Sequence, residues 1–145
     1  MSNDMPTPLI VNADDVGFST EVNEAVVNAR REGVLTSASL MVTGDAFREA
    51  VIIAKDDPTL AVGLHLTLTR ERSILPREAI PDLVGENGRF SGNPVTAALR
   101  YYFGPKARRQ LRREIEAQFE RFAETGLPFS HIDGHQHLHA HPRAG

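Results

Sequence analysis

Two periods of polar and apolar residues run along this 145-residue chain. The short apolar run Leu9-Ile10-Val11 ends in Asn12-Ala13-Asp14-Asp15-Val16-Gly17, which predicts a buried strand running into a polar turn. A helical period then takes over. Val22, Val26 and Ala29, with Ala25 beside them, make an apolar stripe behind a Ser19 N-cap, Glu21 sits in the first turn, and Gly33 closes the helix. Residues 34–42 predict a second strand. Asp45 is placed to cap a helix over residues 46–55 that turns Phe47, Val51 and Ala54 inward. Residues 60–69 alternate without a break, large aliphatics at even positions and Ala61, Gly63, His65, Thr67 and Thr69 at odd ones. That is a third strand, and it sets His65 on a face of small and polar groups.

Prolines 76, 81, 94 and 105 and glycines 85, 88, 92 and 104 interrupt any period over residues 70–105. This reads as a long excursion with a helix near 95–103, of the length that serves as a lid or substrate-binding loop. Residues 106–125 predict an amphipathic helix with Leu111, Ile115, Phe119 and Phe122 inward and Gly126 and Pro128 as its stop. Arg108, Arg109, Arg112 and Arg113 with Glu114, Glu116, Glu120 and Glu124 read as its solvated, salt-bridged face. Residues 129–141 predict a fourth strand and the loop after it. Strands alternating with helices give an α/β fold with parallel strands, one domain over residues 1–145 with the excursion inside it. In such folds the site lies at the C-terminal edge of the strands.

Composition narrows the function classes. Hydrophobic residues are 41% and charged residues 24%, as in ordinary folded domains, which argues against disorder. A net charge of −3 argues against a nucleic-acid partner held by bulk electrostatics. Cysteine is absent, which excludes disulfides, thiolate ligands and a thiol nucleophile. No run is long and apolar enough for a membrane span, and the N-terminus lacks a secretory pattern, so a cytoplasmic address is expected.

Histidine is out of line: five of the six fall in residues 131–141. Asp14-Asp15, His65 and that cluster all lie at predicted strand ends. One Asp and two His make a common ligand set for a divalent cation, with a second carboxylate free to act as base. In extended geometry Asp14 and Asp15 point opposite ways, so one can bind an ion while the other approaches a water from the side. A turn or helix cap accounts for such a pair equally. In HIDGHQHLHAH every odd position is His or Asp. On a strand, i and i+2 side chains are ~6.7 Å apart, so one ion reaches two neighbours but not the whole row. A helix would instead align His131, His135 and His139. Two His and a carboxylate also describe a non-haem Fe(II) oxygenase, against which the α/β alternation argues.

The blocks LIVNADDVGFSTEVNEAV (9–26), GVLTSASLMVTG (33–44), LAVGLHLTLT (60–69) and HIDGHQHLHAHP (131–142) resemble the YdjC-like, or ChbG-type, carbohydrate deacetylase family. The stretches at 79–84 and 100–122 look closest to its hopanoid-biosynthesis-associated HpnK branch. The resemblance implies a distorted (β/α) barrel and hydrolysis of an acetyl group from an N-acetylated sugar or a sugar-modified hopanoid. It implies Asp15, His65 and His135 as ligands of one divalent ion, Mg²⁺ in the family, although the donors equally suit Zn²⁺ or another transition ion. It implies Asp14 as general base, and His137 is the candidate for proton transfer to the leaving amine. Val16 stands where the family usually has phenylalanine. A whole barrel takes about 250 residues, so the likeness is to the N-terminal half. Two expectations follow: a metal-dependent deacetylase of N-acetylated sugars or glycolipids, or a catalytically incomplete metal-binding fragment. An open half-barrel would need its edges covered by a partner chain, by self-association as a homodimer, or by further sequence.

Overall fold

The computed structural model describes residues 9–135, the side chains at 94 and 100–103 left aside. Its strands are β1 (Asn12–Val16), β2 (Ser37–Leu40), β3 (Ala61–Leu66) and β4 (Ile132–Gly134), and its helices α1 (Thr20–Arg31), α2 (Phe47–Asp56), α3 (Pro94–Phe103) and α4 (Pro105–Ala123). The strands are parallel and lie in the order β1-β2-β3-β4. This is the α/β arrangement the alternation predicts, each strand laid beside its predecessor as in the first half of a (β/α) barrel. Among the described residues, no helix is long and apolar enough to cross a membrane.

Two apolar clusters hold the sheet. Leu40, Val62 and Leu64 pack with Val26 of α1, Ala50 and Ala54 of α2, and Phe122 of α4. Leu66 and Leu68 pack with Ile80, Leu83, Val84 and Phe90 from the excursion and with Ala107 and Leu111 of α4. The excursion therefore has its own packed interior, with a 3₁₀ turn at Arg77–Ala79 and antiparallel bridges Arg72–Arg89 and Val84–Phe90. Arg30 at the end of α1 pairs with Asp57 after α2 at 2.7 Å. With help from Thr59, that hydrogen bond holds the Asp57 carboxyl at about 2.

Several expectations need correction. β1 falls on the polar segment and not on Leu9-Ile10-Val11; Leu9 and Ile10 are both 77% exposed. Pairing starts at Val11, whose carbonyl accepts from the Thr36 and Ser37 N–H groups, so the hydrogen-bond ladder and not the apolar run decides where the strand lies. β2 is shorter than 34–42, and Ala46 rather than Asp45 precedes α2, with no side-chain cap. Ser19 does cap α1, its Oγ accepting from the Val22 N–H at 3.4 Å, but the buried residues of that helix are Asn23 and Val26, and Ala25 is exposed. On α4, Phe119 is exposed while Glu114 and Gln118 are fully buried. Glu114 is therefore no part of a solvated face.

Candidate metal centre

The sequence breaks the regular β geometry at the point where β1 delivers its carboxylates. Asp15 has φ of 60°, a left-handed conformation that Asp tolerates better than most residues, and the β1–β2 register slips between Ala13 and Val16. The strict alternation expected for Asp14 and Asp15 is lost, and both acids approach His65. The turn that follows is braced by Asn23. Its Oδ1 accepts from the Gly17 N–H at 2.8 Å, and its Nδ2 donates to the Ala46 carbonyl and to Glu49. Gly44 lies so close beneath that a Cβ there would stand 2.0 Å from the Gly17 oxygen.

β3 and β4 deliver the imidazoles. His65 is buried and lies opposite Asp133 in the parallel register. Its Nε2 is 3.0 Å from Asp15 Oδ1 and its Nδ1 is 2.7 Å from Asp133 Oδ1. His135, just past β4, brings Nδ1 within 2.9 Å of the same Asp15 oxygen. The two rings meet edge to face, 5.6 Å between centroids. Donor atoms of Asp15, His65 and His135 all lie within 4.8 Å of one another, and so do those of Asp14, His65 and Asp133.

This convergence also reports the shape of the sheet. β1 and β4 are the outermost strands, which in a flat sheet stand ~14 Å apart. A 2.9 Å contact between Asp15 and His135 requires the sheet to curl above its C-terminal edge.

A polar network supports the cluster from below. Ser39 donates to Asp133 Oδ2 at 2.7 Å and accepts from Asn12 Nδ2 at 2.8 Å, while His131 Nε2 stands 3.0 Å from the same hydroxyl. Asn12 also donates to Asp14 Oδ1 at 2.8 Å and accepts from Ser37. Gly63 makes room for β4 here, since a Cβ would come 2.5 Å from the His131 carbonyl oxygen. Burial pushes the Asp133 carboxyl up, but the hydrogen bonds from Ser39 and His65 and the pull of the His65 and His131 rings outweigh it. The net direction is below the usual carboxylate range.

The donor set fits a divalent cation. Two imidazole nitrogens and a carboxylate converge from β1, β3 and the residue just after β4. His65 also faces two acceptor-only carboxylates while a neutral imidazole carries one N–H. A neutral ring can donate to only one of them, and a cation held between Nε2 and Asp15 would satisfy the other.

The structure brings Asp15, His65 and His135 together and sets Asp14 beside them. His137 lies outside the described residues, as do His139 and His141. Asp133, Ser39 and Asn12 were not singled out from the sequence. Asp133 did carry a signal, an odd position in the 131–141 alternation; Ser39 and Asn12 carried none. The turns after β1 and β2 and the excursion also line a cavity of about 730 Å³, with Phe18, Phe47 and Arg72 in its wall. There the Thr43 hydroxyl is buried without a hydrogen-bond partner among the described residues.

A family model described as YdjC-like protein matches residues 8–144. A carbohydrate deacetylase of Brevibacillus brevis is 44% identical over 134 residues, covering 92% of this chain and 51% of that protein. A carbohydrate deacetylase of Geobacillus stearothermophilus is 44% identical over 140 residues, covering 95% and 53%. An Enterococcus faecalis V583 crystal structure, of a protein named for cellobiose-phosphate cleavage, superposes with a TM-score of 0.76 at 37% identity, covering 90% of this chain and 49% of that one. The chain spans about half the length of the curated relatives it matches.

Proposed function

The chain belongs to the YdjC-like family, and from that premise we propose that it carries the metal-holding half of a carbohydrate deacetylase. The observation behind this reading is the meeting of Asp15, His65 and His135 donor atoms at the strand C-termini, with Asp14 alongside. The reaction is hydrolysis of an N-acetyl group: water adds to the amide carbonyl, the C–N bond breaks, and acetate and a sugar amine leave. Asp15, His65 and His135 would hold the ion, Mg²⁺ by family resemblance. When bound, a divalent ion supplies Lewis acidity that polarises a carbonyl and acidifies water.

The remaining work falls to the chain itself. Asp14 is exposed, and Asn12 donates to its Oδ1, which leaves Oδ2 to accept a proton from the attacking water. His137 is the proposed donor to the departing amine. The cavity lined by the turns after β1 and β2 would seat the sugar, with the 70–105 excursion as its lid. The HpnK likeness extends the substrate to an N-acetylated sugar carried on a hopanoid.

Coverage of about half of each relative favours a second reading, in which these residues hold the ion but turn over only with a complementing half. Acetate release from N-acetyl sugars, measured beside Asp14→Asn, tests both. The first reading expects release that vanishes in Asp14→Asn while metal uptake stays nearly intact. Metal uptake without release supports the second. Equal loss of metal in Asp14→Asn would overturn the division of roles.

A further inference from the structure

We propose that Asp133, itself held by Ser39, is the positioning residue that fixes which nitrogen of His65 faces the ion; this rests on the metal-holding reading above. The argument is one of hydrogen atoms. Asp133 is acceptor-only, and both of its oxygens are engaged at 2.7 Å, Oδ1 by His65 Nδ1 and Oδ2 by Ser39 Oγ. Ser39 has one hydrogen, and it goes to Asp133. The Ser39 oxygen therefore accepts from Asn12 Nδ2, at 2.8 Å, and from His131 Nε2, at 3.0 Å. His131 then carries its proton on Nε2 and turns Nδ1 to the Ser130 hydroxyl at 3.2 Å.

Asp133 is the nearer of the two carboxylates that flank His65, 2.7 Å from Nδ1 against 3.0 Å between Asp15 and Nε2, and an ion held with Asp15 and His135 would take the Nε2 side, so the hydrogen on His65 belongs on Nδ1. Nε2 is left with a lone pair aimed at the space it shares with Asp15 and His135. A histidine ligand whose other nitrogen donates to a carboxylate is locked in tautomer and ring orientation. Here the lock is built from β1, β2 and β4 around a residue of β3, so the sheet register itself sets it.

The rival reading makes Asp133 a ligand of a second ion with Asp14 and His65, whose donor atoms also cluster. The two short hydrogen bonds to Asp133 and the bonded state of His65 Nδ1 argue against it.

Zn²⁺ alone, titrated into the 145-residue chain against a competing chelator, gives affinity and stoichiometry. Nitrogen NMR of the His65 ring gives the tautomer. The expected result is one Zn²⁺, lost in Asp15→Ala. In Asp133→Asn affinity falls about 10–100-fold with stoichiometry still one, and the Nδ1–H signature of His65 is lost. Ser39→Ala moves both readouts the same way by less, and it decides the matter should Asp133→Asn not fold. Affinity within about twofold and an unchanged ring signature in these variants overturn the proposal. So does a stoichiometry of two that drops to one in Asp133→Asn. Absence of Asp15-dependent Zn²⁺ uptake in the unsubstituted chain overturns the metal reading and this one with it. Absent acetate release with intact binding overturns only turnover by this chain alone and leaves the present proposal standing.

Discussion

At Asp15 one carboxylate oxygen meets two imidazole nitrogens on a backbone held at φ of 60°. The residue thus answers two demands, charge for its proposed part as a ligand and tolerance of a left-handed backbone. Asn shares the second but not the first. Asp15→Asn should therefore keep the thermal unfolding midpoint close to that of the parent chain while abolishing tight Zn²⁺ binding. A midpoint that collapses in Asp15→Asn would show the carboxylate to be structural. The residues proposed to hold the ion were legible in the sequence because the runs they sit in have a plain period: His65 breaks a leucine alternation, and His135 sits in a row of His and Asp. Asp133 and Ser39 were not, because their roles come from register. Which residue of β4 faces His65 is decided by pairing between strands far apart in sequence.

At the scale of elements the least legible part was α4. Its apolar residues suggested an inward stripe at Leu111, Ile115, Phe119 and Phe122, yet the buried line runs Leu111, Glu114, Gln118, Phe122. Polar residues occupy that line because the strand end and the excursion present bare backbone to the helix. Gln118 Oε1 accepts from the Thr67 N–H at 2.9 Å and its Nε2 donates to the Thr67 carbonyl at 2.8 Å, in place of a neighbouring strand. Glu114 accepts from the Ile74 and Leu75 N–H groups and from Gln118. Burial pushes the Glu114 carboxyl up, against the pull of those three donors. Removing the charge would by itself relieve the burial penalty, so geometry decides the sign. In Glu114→Gln the amide nitrogen must face a backbone N–H, and a buried donor is left without an acceptor. The expected cost is about 1–3 kcal/mol in urea unfolding, with faster amide exchange at Ile74 and Leu75. A neutral or stabilising result would mean that desolvation outweighs the three hydrogen bonds.

At the scale of the molecule the parallel α/β arrangement was legible, because strands separated by helices pair in parallel. The curl of the sheet was not, since it depends on the left-handed turn of one residue and on the contact it permits. Among the described residues β1 and β4 each pair on one side only, and Phe129, Ile132, Leu9 and Ile10 are exposed. Open edges beside exposed apolar groups are templates for association. The isolated chain is expected to self-associate in light scattering as its concentration rises. A compact monomer at every concentration would count against that. The contact between Asp15 and His135 joins residues 120 apart in sequence, so it closes nearly all of the described chain into a single ring. A covalent link closing a loop of about 100 residues removes roughly 4.7 kcal/mol of freedom from an unfolded chain in the entropy model. An ion gripped by both residues would act as such a clasp, gathered only after the whole sheet has formed. Folding and binding would then share one equilibrium, and a chelator would open the ring at the seam between its first and last strands.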